Sequence, residues 1–425
     1  MYTKKTLKNG LTILRVPIPQ AKSVLVDIFV KVGSRQEDKR VNGISHFLEH
    51  LFFKGSKKFP TAQDLSHALD AIGAEYNANT GKEHTQYYIK AAKKHFHFIF
   101  ETLTDVIQNP IFAPEEIERE KGVIIEEINM YEDTPMRHVE DLLDEAMWPD
   151  QPLGRNIAGT KGVIRSITRR DISNYVKTFY QPQNMIIAVA GAYPEKELDK
   201  LITQLWVRIR PHRYPQWRRV SVNQKKPYFK LEPKKTEQCH LAVGFRSYDH
   251  NHPDYITQTV LASILGGGMS SRLFTEIRER RGLAYYVRAS TTNYQDTGNF
   301  VIQAGIRLGT LPEVVKTINT QLNKIKNELV NERELIKVKE YLKGTLTLSL
   351  EASESLLSWY LEQTAFRRRI LEPESAFRAV DKITALDVKR VANDIFQPQK
   401  LSVSLIGPKD QIDTANKLLK KVDLI

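Results

Sequence analysis

Cysteine is almost missing from this 425-residue chain: Cys239 stands alone. An internal disulfide and any cysteine-built metal site are therefore excluded. Long apolar runs are missing too. None approaches the roughly 18 residues that a membrane-spanning helix requires. Nor is there the polar bias of a disordered chain, since 41% of the residues are hydrophobic and 27% are charged. The length suits about two to four domains.

The formal charge of +13 favours acidic partners in principle. The basic residues are spread along the chain, however. Their densest cluster, VRIRPHRYPQWRRV at 207–220, holds two prolines and sits mid-chain. It reads as a solvated linker, and no nucleic-acid partner is expected. The opening MYTKKTLKNGLTIL alternates like a strand and has neither the apolar core nor the small-residue cleavage site of a signal peptide. A cytoplasmic, bacterial-like setting with no membrane association is the expectation. A processed organellar form is the alternative.

The chain is written twice. ITRRDISNYVKTFYQPQNMIIAVAG (167–191) matches ITALDVKRVANDIFQPQKLSVSLIG (383–407) without a gap, at an offset of 216 residues. The same offset lays VLVDIF (24–29) on HLAVGF (240–245) and Asn77 on Asn293. Such a repeat predicts two related halves: a first domain over 1–206, a linker over 207–225 and a second domain over 226–425. Each half opens with two strands (about 11–16 and 23–32; about 227–233 and 238–246). A strand pair follows after helices, then long helices such as 93–108 and 114–131, then a closing strand near 185–190 or 401–406. This order predicts α+β domains, each an antiparallel-rich sheet with helices packed on one face. Gly55 and Gly73 follow apolar periodic runs, as helix-terminating glycines do.

Two of the eleven histidines lie four residues apart in GISHFLEHLFFKG (43–55). Residues 44–53 read as one helix. His46 and His50 then stack on one face about 6 Å apart, suited to two imidazole nitrogens on one tetrahedral ion. Glu49 lies on a neighbouring part of the surface, placed to reach a water rather than the metal. The pattern is H-x-x-E-H, the reverse of the commoner zinc-protease helix. A catalytic zinc needs a third protein ligand, and the carboxylate-dense helix EEIEREKGVIIEEINMYED (115–133) can supply one. At the repeat offset His46, Glu49 and His50 fall on Ala262, Leu265 and Gly266, so the fold itself does not require them. His95, His97, His250 and His252 offer no better site and read as solvated.

With a glutamate 77 residues after His50 (127 − 50) and two related halves, the chain resembles the family of pitrilysin, insulin-degrading enzyme and the mitochondrial processing peptidase. The likeness covers essentially the whole chain, and NGISHFLEHLFFKGS (42–56) is especially similar to the short bacterial members and the catalytic processing-peptidase subunit. In that family the third ligand is the second acid of an E-x-x-V-I-x-x-E run. The resemblance thus implies Glu127 as ligand and Glu120 as a supporting acid of the catalytic site. Glu126 competes on spacing alone but points about 100° away from the face shared by Glu120 and Glu127.

The resemblance implies a zinc-dependent endopeptidase for unstructured peptides or extended segments. Zinc would activate water and polarise the scissile carbonyl, and Glu49 would act as general base. Arg278 and Tyr285, within LFTEIRERRGLAYYV (273–287), would bind substrate and the developing oxyanion. Asn77 and Ala78, in EYNANT (75–80), would lie on a strand edge that accepts the peptide by β-augmentation. Short members of the family pair, so a homodimer or a heterodimer with a related chain is expected. The alternative is a non-catalytic scaffold or partner subunit, since the family contains such members.

Overall fold

The computed structural model describes residues 2–419. They sort into two compact units. The first comprises residues up to Met130, Arg155–Arg218 and Ser349–Ala365; the second comprises Tyr131–Gly154, Arg219–Leu348 and the chain from Phe366 on. Residues 209–225 have no regular secondary structure.

The first unit is built on β1 (Thr3–Thr6), β2 (Thr12–Pro17), β3 (Ser23–Val30), β4 (Glu75–Thr80), β5 (Thr85–Ala92) and β6 (Met185–Gly191), in the order β1-β2-β6-β3-β5-β4. Only the β2–β6 pair is parallel. On β3, Val24, Val26, Ile28 and Val30 face the helical layer, in one core with Phe47, Leu48, Leu51 and Phe52 of the helix Ile44–Phe52. Burying each such side chain contributes about 1.5–3 kcal/mol, which fixes that helix firmly enough to carry polar groups on its other side. Lys90 of β5 pairs with Glu354 of the helix Ser353–Phe366.

The second unit repeats the plan with β7 (Tyr228–Pro233), β8 (Gln238–Ser247), β9 (Ala284–Asn293), β10 (Gly298–Arg307) and β11 (Leu401–Gly407), in the order β7-β11-β8-β10-β9. Again one pair, β7–β11, is parallel. Leu241, Val243 and Phe245 of β8 face the main helical core, while Ala242 points to the opposite face and packs with Val139, Leu143 and Met147 of the helix Pro135–Met147.

The repeat holds to the residue in places. The starts of β2 and β7, of β6 and β11, and of the helices Arg169–Phe179 and Ala385–Ile395 each differ by 216. Both helices open with the same reciprocal cap, Thr168 with Asp171 and Thr384 with Asp387. The predicted helices 93–108 and 114–131 are Phe96–Gln108, behind a short 3-10 turn, and Pro114–Glu132. Gly73 takes the left-handed φ of 63° just past the helix Ala62–Asp70. Where the first unit has its histidine helix, the second has the apolar helix Tyr255–Gly266. Gly266 lies so close to β9 that a Cβ there would stand 2.3 Å from the Ala289 nitrogen.

Candidate metal centre

The histidine helix starts abruptly at Gly43, whose φ is 102° and whose own side chain offers no cap. A Cβ at Gly43 would lie 2.6 Å from the Ala158 carbonyl oxygen, so glycine is required on two counts. The cap comes from upstream. The Glu37 carboxylate accepts the backbone amides of Gly43 (2.7 Å) and Ser45 (2.8 Å) and the Asn42 side-chain amide (2.8 Å). It is only 3% exposed, and its charge complements the positive end of the helix. Burial pushes its pKa up to about 7 against the hydrogen bonds from Asn42, Ser45 and Gly43 that pull it down. Ser45 also bonds to Tyr175 through their hydroxyls (3.0 Å).

One turn on, His46 and His50 meet with ring centroids 4.8 Å apart. Glu127 arrives from the helix Pro114–Glu132, whose Ile117, Ile124 and Ile128 are buried in the first unit's core. Its Oε2 stands 3.3 Å from His46 Nε2 and 3.4 Å from His50 Nε2. Among the described residues these three form the group of side chains able to hold a metal ion. The spacing tests the fit directly. Tetrahedral ligands at about 2.0–2.1 Å from an ion are separated from one another by about 3.3–3.4 Å. Two imidazoles and a carboxylate are also the donor set that suits zinc. Glu126, the rival acid, is exposed and bonds to Asn129 instead.

A second layer orients the first. His50 Nδ1 lies 3.0 Å from Glu120 Oε2, which leaves Nε2 for the ion. The other Glu120 oxygen pairs with Lys54 Nζ at 2.7 Å. Burial alone would raise the Glu120 carboxyl, but His50 and Lys54 outweigh it and hold it below its ordinary range. Burial likewise opposes a charge on His50, yet Glu120 and Glu127 lift its pKa to about 9. A proton and a cation therefore compete for the same nitrogen. Glu49, half-buried on the same helix, makes no hydrogen bond or ion pair among the described residues. Its charge acts on Tyr87 and Tyr180 nearby and raises both phenols further than burial already does.

β4 ends the first sheet, with one edge unpaired among the described residues. Tyr76 on it contacts Phe53 at the end of the histidine helix (centroids 5.6 Å apart). Asn77 is exposed, and its side-chain oxygen accepts the Ala78 amide at 2.8 Å.

Arg278 and Tyr285 belong to the second unit and lie together there. The guanidinium carbon is 5.5 Å from the Tyr285 ring centre and 4.9 Å from that of Phe274. Both residues sit on irregular backbone. Arg278 is in a π-helical turn, Phe274–Glu279. Tyr285 is the residue skipped where the β9–β10 register shifts, between the Tyr286–Gly305 and Ala284–Ile306 pairs. Bulges of both kinds re-aim side chains, and Tyr285 is 72% exposed. Sequence reasoning missed Glu37 and Lys54. Lys54 lies four residues after His50, a spacing that could have revealed it; Glu37 carries no such signal.

Fold and site together define a two-unit α+β protein with a His-His-Glu metal-ligand group in its first unit. The model of the family described as Insulinase (Peptidase family M16) matches residues 12–161, and that of the Peptidase M16 inactive domain matches 166–342. The chain belongs to peptidase family M16. It is 35% identical over 365 residues to an uncharacterized zinc protease of Bacillus subtilis, covering 84% of this chain and 87% of that one. It is 33% identical to an uncharacterized zinc protease of Rickettsia felis, covering 95% and 97%. A protease from Helicobacter pylori has the same fold, with a TM-score of 0.88, 23% identity and coverage of 96% and 100%. The described residues include no helix long and apolar enough to cross a membrane.

Proposed function

We propose that this chain is a zinc-dependent endopeptidase acting on unstructured peptides or extended segments. The observation that carries the reading is the convergence of His46, His50 and Glu127 at tetrahedral spacing beside an unengaged Glu49. Zinc held by the three ligands supplies Lewis acidity at the scissile carbonyl. Glu49 takes the proton from the attacking water and delivers it to the leaving amine. Glu120 holds His50 in the tautomer that presents Nε2. The substrate adds as a strand to β4 and takes over the Ala78 amide that Asn77 now satisfies. Arg278 and Tyr285 act as donors to the substrate carbonyl and its oxyanion. In a paired arrangement, a homodimer or a heterodimer with a related chain, they serve the metal group of the neighbouring copy. A cytoplasmic setting belongs to the same proposal.

The test is cleavage of a quenched, unstructured peptide library by the purified chain, alongside Glu49→Gln and a chelated sample with zinc restored. Turnover that is lost on chelation, regained with zinc and absent in Glu49→Gln supports the proposal. Bound zinc without turnover in the chain alone points to a missing partner chain, to be sought by co-purification; the same result with that partner present favours the scaffold reading. Neither zinc nor turnover removes the catalytic reading.

A further inference from the structure

The second unit contains a cleft of about 310 Å³ that the proposed peptidase chemistry does not use. Arg367, Arg368 and Arg369 line it together with His250, His252 and Tyr255. No acidic residue lines it. Among the described residues none of the three guanidinium groups has a carboxylate partner. Three acids flank the lining in sequence: Asp254 is held in a two-pronged pair with Arg390 (2.8 and 2.6 Å), Asp249 accepts the Asn251 amide (2.7 Å), and Glu372 precedes the helix Pro373–Asp381. Arg367 is half-buried and Arg368 and Arg369 are exposed, so three cationic residues line one small cleft whose lining holds no acid, and an anion bound there gains from all three.

The backbone that carries the cluster is held in place. Asn251 clamps the arginine loop with both ends of its side chain. Its nitrogen donates to the Phe366 carbonyl (3.1 Å) and its oxygen accepts the Arg368 amide (2.8 Å). The Arg367 guanidinium lies 3.7 Å over the Tyr255 ring, which leaves its N–H edge free to point outward. His250 stacks on Phe366, with planes 7° apart. His252 stacks on Tyr248 at 3.8 Å, and its Nδ1 accepts the Asp254 amide at 3.1 Å. The His252 hydrogen therefore sits on Nε2, which makes that nitrogen a donor. Both histidines lie in the loop expected from the sequence and are half-buried there by these stacks.

We propose that this cleft is an anion site for a small phosphate-bearing ligand. Planar guanidinium forks match phosphate oxygens bidentately, and the volume suits a compact, multiply charged group rather than an extended polymer. The test is calorimetric titration of the full chain with inorganic phosphate, pyrophosphate and a nucleoside triphosphate at fixed ionic strength. The same titrations are run on Arg367→Gln/Arg369→Gln. Saturable one-to-one binding that weakens about tenfold or more in the double variant supports the site. Binding of the triphosphate alone assigns a nucleotide; binding of phosphate or pyrophosphate assigns the free ion. The exposed Arg368→Gln serves as a milder variant if the double variant does not fold, with a smaller loss expected. No binding at millimolar concentration, or binding that none of these substitutions changes, overturns the proposal.

Discussion

Glu37 Oε1 accepts the Ser45 backbone amide at 2.8 Å, so a loop residue eight positions upstream caps the helix that bears His46 and His50. Replacing it with glutamine removes the charge and leaves buried amides without a full set of acceptors. Glu37→Gln should cost about 1–3 kcal/mol of stability. A urea unfolding midpoint equal to that of the parent would contradict the capping role.

Metal content should separate the two acids of the carboxylate helix. Glu127→Gln removes a ligand and should leave the purified protein with little zinc by atomic absorption. Glu120→Gln keeps all three ligands but loosens His50, so zinc should bind about 10–100-fold more weakly. Equal zinc affinity in the two variants would contradict these roles.

Tyr285→Phe deletes one hydroxyl on an exposed, bulged residue. Under the proposed mechanism it should lower kcat by about 10²–10³-fold, the scale for loss of one oxyanion donor. Zinc content and thermal unfolding should not move. Unchanged kcat would remove Tyr285 from the substrate-binding set.

Asp27 gives stability a pH dependence of its own. Burial pushes its carboxyl up to about 8, against a hydrogen bond from Gln86. Unfolded, the group titrates near about 3.9. The folded chain thus keeps a proton that the unfolded chain releases. That contribution is complete below about pH 4 and is lost as pH rises through about 8. Asp27→Asn should flatten stability between about pH 5 and pH 8, and urea midpoints across that window would check it.

The parts of this structure legible in the sequence are those set by local spacing. His46 and His50 declare themselves because one helical turn brings i and i+4 together, and Glu120 and Glu127 because seven residues make about two turns. The repeat is legible because capping residues and closing strands recur in register. Glu37 was not legible. Its place at the helix start depends on a chain reversal through Gly43, which no periodicity encodes. The membership of Tyr131–Gly154 in the second unit and of Ser349–Ala365 in the first was equally silent, since amphipathic helices do not state which sheet they cover. The arginine cleft was missed because 250–255 and 366–369 are far apart in sequence and meet only in the fold, through the Asn251 clamp, the His250–Phe366 stack and the Arg367–Tyr255 contact.

The close approach of Gly266 to Ala289 bears on ancestry. The second copy of the scaffold carries the apolar helix Tyr255–Gly266 in place of the histidine helix, and at the sequence offset of 216 Ala262, Leu265 and Gly266 stand against His46, Glu49 and His50. A lineage can therefore discard the metal group and keep the architecture. Position 266 admits no side chain, because a histidine there would drive its Cβ into the β9 backbone. The tight seat of Gly266 against β9 thus makes one half of the molecule intolerant of a side chain at that position, while the metal group needs two imidazoles on the corresponding helix of the other half.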